Sequence, residues 1–102
     1  MKDTSRNIRE ENKRFKKLCQ AISLLESPGE AEDFLTDLCT PAEIQAMADR
    51  WSVIKPIQQG KSYRTIHEET GVSVTTIGRV ARNMTYGTGC YNKLYERVEQ
   101  KK

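Results

Sequence analysis

Long apolar runs are missing from this sequence. The longest span three or four residues, such as Ile22–Leu25 with its interrupting Ser23, whereas a bilayer crossing needs about 20. No apolar segment follows the basic N-terminal stretch, so no secretory signal and no membrane association are expected. Cysteine is scarce: Cys19, Cys39 and Cys90 are an odd number, with no C-x-x-C spacing, and His67 is the single histidine. That set cannot complete a zinc site, and the residues read as reduced thiols of a cytoplasmic protein. Strand-like alternation never persists over five residues, and neither repeats nor low-complexity tracts occur. No paired acids, Ser/His/Asp set or Cys/His pair stands at a motif spacing, so neither a catalytic site nor a cofactor is expected. Gly87-Thr88-Gly89 is not followed by Gly-Lys-Ser/Thr and reads as a flexible link rather than a phosphate loop.

Core-forming residues are also few. The AVILMFWYC fraction is 36% and the charged fraction 30% of 102 residues, against a charged norm of about 25%. A lone domain of this length buries only about 60–68% of its unfolded surface. A large enzyme with a deep cavity is excluded; a small module that completes its core with a partner is not. The whole of residues 1–102 reads as one domain.

What is present is charge, unevenly placed. Residues 1–25 carry a net +4, residues 26–49 a net −7 with no base at all, and residues 60–93 a net +3, within an overall +3. A basic segment set apart from an acidic one points to an anionic partner at one face.

Helical spacing runs throughout, and the class is all-α with six helices. The first, over residues 5–26, places Ile8, Phe15, Leu18, Ile22 and Leu25 on one stripe. Ser27-Pro28-Gly29-Glu30 carries the N-cap, first-turn proline and acidic residue of a capping box. It opens a short helix with Ala31, Phe34, Leu35 and Leu38 on one side. Thr40-Pro41-Ala42-Glu43 repeats the signal and opens a third helix bearing Ile44, Met47, Ala48, Trp51, Ile54 and Ile57. Pro56 conflicts with that helix, so a bend or loosened turn is expected near residues 52–56. Ser62 caps a fourth helix over residues 63–70, Ser73 a fifth over 74–84, and a sixth covers 91–99 with Leu94, Tyr95 and Val98 as its apolar side.

The informative stretch is residues 62–84: a short helix, a tight turn at Gly71 and a second helix, the helix-turn-helix plan. Ile66, Val72, Ile77 and Val80 are placed to lock the pair, and Gly71 stands where a positive φ is needed. On the other side of the second helix, Thr75, Thr76, Arg79, Arg82 and Asn83 share one acid-free face. Arginine grips guanine with two hydrogen bonds, asparagine does the same to adenine, and threonine offers a hydroxyl and a methyl. The free amides near residues 73–75 suit a phosphate. Gly78 costs about 1 kcal/mol in a helix interior, explained either by a close backbone approach or by plain tolerance. His67 and Thr70 depart from the usual helix-turn-helix preference for a small and an aliphatic residue; His67 reads as a helix-surface residue.

The segments Leu38-Cys39-Thr40-Pro41-Ala42-Glu43, Ala48-Asp49-Arg50-Trp51, Gly60-Lys61-Ser62-Tyr63-Arg64-Thr65-Ile66 and Val74-Thr75-Thr76-Ile77-Gly78-Arg79-Val80 together resemble the Trp repressor superfamily. The tail Arg79-Val80-Ala81-Arg82-Asn83-Met84-Thr85-Tyr86-Gly87 resembles its YerC/YecD-type branch. The resemblance implies an all-helical, intertwined homodimer that binds a palindromic DNA operator through two helix-turn-helix units. With the outer face read above, DNA contacts are expected from Arg64, Arg79 and Arg82, with Thr75, Thr76 and Asn83 helping to set sequence preference. The resemblance also places a ligand site on Thr40, Arg50, Thr76 and Arg79, which keep the residue types that frame tryptophan in the Trp repressor. Val80 stands where that protein has a glycine beside the indole, and Asn83 stands where it has the serine that receives the amino group. Tight tryptophan binding is therefore not expected; another small effector between Arg50 and Arg79 stays open. The resulting expectation is a transcriptional regulator, a repressor that needs no tryptophan. The alternative is a protein-interaction module that docks through the acidic span and the first helix.

Overall fold

The computed structural model describes residues 7–101, and every regular element among them is a helix. In chain order these are α1 (Ile8–Ser23), α2 (Pro28–Leu38), α3 (Pro41–Ser52), α4 (Ile54–Gln58), α5 (Tyr63–Thr70), α6 (Val74–Tyr86) and α7 (Cys90–Gln100). They divide into two compact units, Met1–Thr40 and Pro41–Lys102. None of the described helices is long and apolar enough to cross a membrane. The three cysteines are free thiols.

In the N-terminal unit, the expected helix start at Ser5 lies outside the described residues. The described α1 opens on Asn7, whose side-chain oxygen accepts from the amides of Arg9 at 2.9 Å and Glu10 at 3.4 Å. It ends at Ser23, three residues before the expected Glu26. The Ser23 hydroxyl donates to the Gln20 carbonyl at 2.7 Å, a local bond that competes with the helix ladder. No residue of α1 is buried; Ile8, Phe15 and Ile22 of its apolar stripe are exposed. Ser27 caps α2 as expected, accepting from the Glu30 amide at 3.0 Å. The Glu30 carboxylate reaches back to the amide of Glu26 at 2.9 Å, one residue before the cap. The capping box thus closes one position early.

The C-terminal unit holds the core. Val53, Ile54, Ile66, Val72, Ile77 and Val80 are buried, with Trp51, Ile57, Met84, Tyr91 and Tyr95 packed against them. The helix expected over residues 41–60 is two helices, so the expected six become seven. The break falls at Val53, within the region where Pro56 predicts a bend. Pro56 is the third residue of α4, where a backbone N–H has no intrahelical acceptor and its loss costs little. The break also accounts for two consecutive fully buried residues, Val53 and Ile54. In a straight helix neighbours point about 100° apart, and burying both against one partner is hard.

Of the apolar side expected for the last helix, only Tyr95 packs on the core. Tyr91 and Tyr95 pack on the core, whereas Leu94 and Val98 are exposed. The Tyr95 ring meets Trp51 of α3 at 5.9 Å between centroids, tilted by 54°. Desolvation, and then the hydrogen bond and negative charge of Glu99, push the Tyr95 phenol above its usual pKa. Asn92 ties three helices together: it accepts from the Gln58 side chain at 3.0 Å and donates to the Met84 carbonyl at 3.2 Å. The Gly87–Gly89 connection, read from the sequence as a link into the last helix, joins α6 to α7. The Gly87 amide donates to the Asn83 carbonyl at 2.8 Å, and a Cβ on Gly87 would stand 2.5 Å from that same oxygen.

Candidate nucleic-acid interface

Two hydroxyl caps start the helix pair. Ser62 accepts from the Thr65 amide and Ser73 from the Thr76 amide, both at 3.1 Å. Each cap satisfies one of the amides left free in a first helical turn. Between the helices, Gly71 takes the left-handed conformation at φ 79° and donates its amide to His67 O at 2.8 Å.

The turn itself is closed by side chains that the sequence pattern does not single out as fasteners. The Thr70 hydroxyl donates to the Ile66 carbonyl at 2.7 Å and accepts from the Val72 amide at 3.1 Å. His67 Nδ1 lies 2.7 Å from the Val72 carbonyl. The two departures from the usual helix-turn-helix pattern are thus the two side chains that hold this turn. Beneath it, Ile66, Val72, Ile77 and Val80 form the locking skeleton read from the sequence, and all four are buried.

α6 is therefore fixed from one side. On the opposite side Thr75, Arg79, Arg82 and Asn83 are exposed and Thr76 is half-buried. Thr76 is partly engaged, since Ser73 Oγ donates to its hydroxyl oxygen at 3.0 Å. Ion pairs recorded among the described residues join Lys61 to Glu69 at 2.9 Å and Arg64 to Glu68 at 3.4 Å; Arg79 and Arg82 are in neither. The Arg64 pair is long and solvent-exposed, worth at most a fraction of a kcal/mol, so it leaves that guanidinium available. The Arg82 guanidinium carbon lies 5.6 Å from the centroid of the Tyr86 ring. Tyr86, absent from the contact set expected from the sequence, thus belongs to this face; the i, i+4 spacing to Arg82 is the signal that marks it. Gly78 is closed in by no backbone: a Cβ there would meet the Tyr63 ring at an ordinary 3.7 Å. Of its two explanations, tolerance holds.

The four positions expected to frame a ligand are spread over different elements. Arg50 is half-buried in the last turn of α3, Thr76 and Arg79 lie on α6, and Thr40 belongs to the N-terminal unit. The C-terminal unit carries surface clefts near the end of α6 and along α7. One, of about 320 Å³, is lined by Asn83 and residues 87–91; the other, of about 410 Å³, by Gln58, Asn92, Tyr95, Glu96 and Glu99. Neither is lined by Arg50, Thr76 or Arg79. Val80 has no exposed surface. Its two methyls are part of the core. Among the described residues, no three metal-ligating side chains cluster.

An all-helical chain that holds an acid-free, arginine-bearing helix outward on a small aliphatic core has the features of a helical DNA-binding regulator. The Trp repressor protein family matches residues 13–99, and the chain belongs to that family. The uncharacterized protein YerC of Bacillus subtilis (strain 168) is 38% identical over 88 residues, 86% of this chain and 85% of YerC. A crystal structure of a TrpR-like protein from Eubacterium eligens ATCC 27750 superimposes with a TM-score of 0.81 at 36% identity, covering 91% of this chain and 96% of that one. A candidate Trp repressor from Staphylococcus aureus gives 0.79 at 40% identity, covering 84% and 86%. The family is one of regulators rather than enzymes.

Proposed function

We propose that the chain is a sequence-specific DNA-binding transcriptional repressor in the cytoplasm, acting as a homodimer on a palindromic operator without tryptophan as corepressor. The observation that carries the reading is the two-sidedness of α6. Ile77 and Val80 anchor one side at zero exposure, while Arg79 and Arg82 stand exposed and without a recorded ion pair on the other. Exposed cations on a helix fixed from behind attract a phosphate backbone and have the hydrogen-bonding fork that reads guanine. Arg64, Thr75, Thr76 and Asn83 complete the contact set.

Dimerisation is supported by α1. An apolar stripe with no buried residue is a cost in water unless a second surface covers it. The absence of tryptophan is supported by the residue types at two positions: Val80 stands where the Trp repressor has a glycine beside the indole, and Asn83 where it has the serine that receives the amino group. Arg50, Thr76, Arg79 and Thr40 remain the positions where a small effector would act.

The test is DNA binding as a function of salt. The observed constant should fall with a log–log slope of roughly −0.9 per neutralised phosphate. Selection from random duplexes should recover a palindrome. The same bare α1 stripe favours a second reading, a protein-interaction module using α1 and the acidic span. Absence of any salt-dependent duplex binding would select that reading instead.

A further inference from the structure

Tyr86 ends α6 and is 78% exposed. The core is packed by Tyr91 and Tyr95, and Tyr86 takes no part in it. Its recorded neighbour is the Arg82 guanidinium, 5.6 Å from the ring centroid. The geometry follows from helix direction. Long side chains slant toward the helix N-terminus, so residue 86 leans over residue 82. A guanidinium set against an aromatic face is attracted by the ring quadrupole. Arg79 has Asn83 at the corresponding position, so of the two α6 arginines only Arg82 has a ring at i+4.

Resting on the DNA-binding reading above, we infer that Tyr86 is a positioning residue for recognition: its ring holds the Arg82 guanidinium on the outer face of α6, ready for DNA. The ring acts and the hydroxyl does not. Arg82 then loses less conformational freedom when it meets the duplex, because part of that freedom is already gone in the free protein.

The experiment is a double-mutant cycle on a duplex recovered by selection from random DNA. Tyr86→Leu should weaken binding about two- to five-fold, the range of an exposed cation–π contact, and Tyr86→Phe should bind like the parent chain. In an Arg82→Ala background, Tyr86→Leu should change nothing further. In the DNA-free protein, the Arg82 Nε–H resonance should carry a ring-current shift that persists in Tyr86→Phe and disappears in Tyr86→Leu. A loss from Tyr86→Leu that survives in the Arg82→Ala background overturns the inference, as does an equal loss in Tyr86→Phe. So does an Arg82 resonance indifferent to the ring. A parent chain that binds no duplex at low salt overturns the DNA-binding reading and the inference with it, whereas normal parent binding with an inert Tyr86→Leu overturns the inference alone.

Discussion

The imidazole Nδ1 of His67 lies 2.7 Å from the carbonyl oxygen of Val72, across the turn that joins α5 to α6. A carbonyl only accepts, so Nδ1 carries the proton. With the two hydrogen bonds of the Thr70 hydroxyl, donated to Ile66 O and accepted from Val72 N–H, polar side chains do here what small and aliphatic residues do in the usual pattern. His67→Ala and Thr70→Val should each lower stability by about 0.5–1.5 kcal/mol. Urea denaturation should show a reduced midpoint with an unchanged slope. An unmoved midpoint in both variants would show that the turn is held by its apolar residues alone.

Two glycines of α6 and its end should respond in opposite senses. Gly87→Ala drives a Cβ to within 2.5 Å of the Asn83 carbonyl oxygen, and the backbone must shift; a loss of about 1–3 kcal/mol is expected. Gly78→Ala meets only the Tyr63 ring at 3.7 Å and removes the flexibility of a mid-helix glycine. It should gain about 0.5–1 kcal/mol. Thermal melts of the two variants decide both signs.

Arginine replacements on α6 separate reading from attraction. Arg82→Ala should cost about 1–3 kcal/mol on the selected site and relax preference at one base position if it contacts a base edge. Equal weakening on selected and random duplexes would make it a phosphate contact. Unchanged binding to both would remove Arg82 from the interface.

Tryptophan should not act as a corepressor. Calorimetry should detect no low-micromolar binding, and added tryptophan should leave the DNA affinity unchanged. Low-micromolar binding that also tightens DNA binding would mean that the Val80 methyls leave the indole its room.

The bare α1 stripe sets an expectation for assembly. Light scattering at micromolar concentration should report a dimer, and Phe15→Glu should shift it toward monomer by placing a charge among apolar side chains. A monomeric parent chain would count against the intertwined dimer.

Much of this architecture was legible in local signals. Ser27, Ser62 and Ser73 each cap a helix because a hydroxyl before a helical run meets a free amide two or three residues on. Gly71 marked its turn because positive φ excludes most other residues. The four locking residues of the helix pair could be chosen by spacing, since helical period alone decides which side chains share a face. Less legible were Val53, which a straight helix would point away from Ile54, and the packing face of α7, where Tyr91 joins the expected Tyr95 while Leu94 and Val98 stay exposed. Asn92 gave no signal either, because its bonds join residues 34 and 8 positions away.

The sequence by itself determined the helical class, the start of most helices and the acid-free outer face of α6, because each depends on neighbours within one or two turns. Only the tertiary structure decided that the bend announced by Pro56 becomes a full break that lets two adjacent residues be buried. The same holds for the polar closure of the turn by His67 and Thr70, and for the contact of the Arg82 guanidinium with the Tyr86 ring. Those outcomes depend on which side chains meet in space, and pairwise contact energies of about 1 kcal/mol leave several such meetings open until the core is packed.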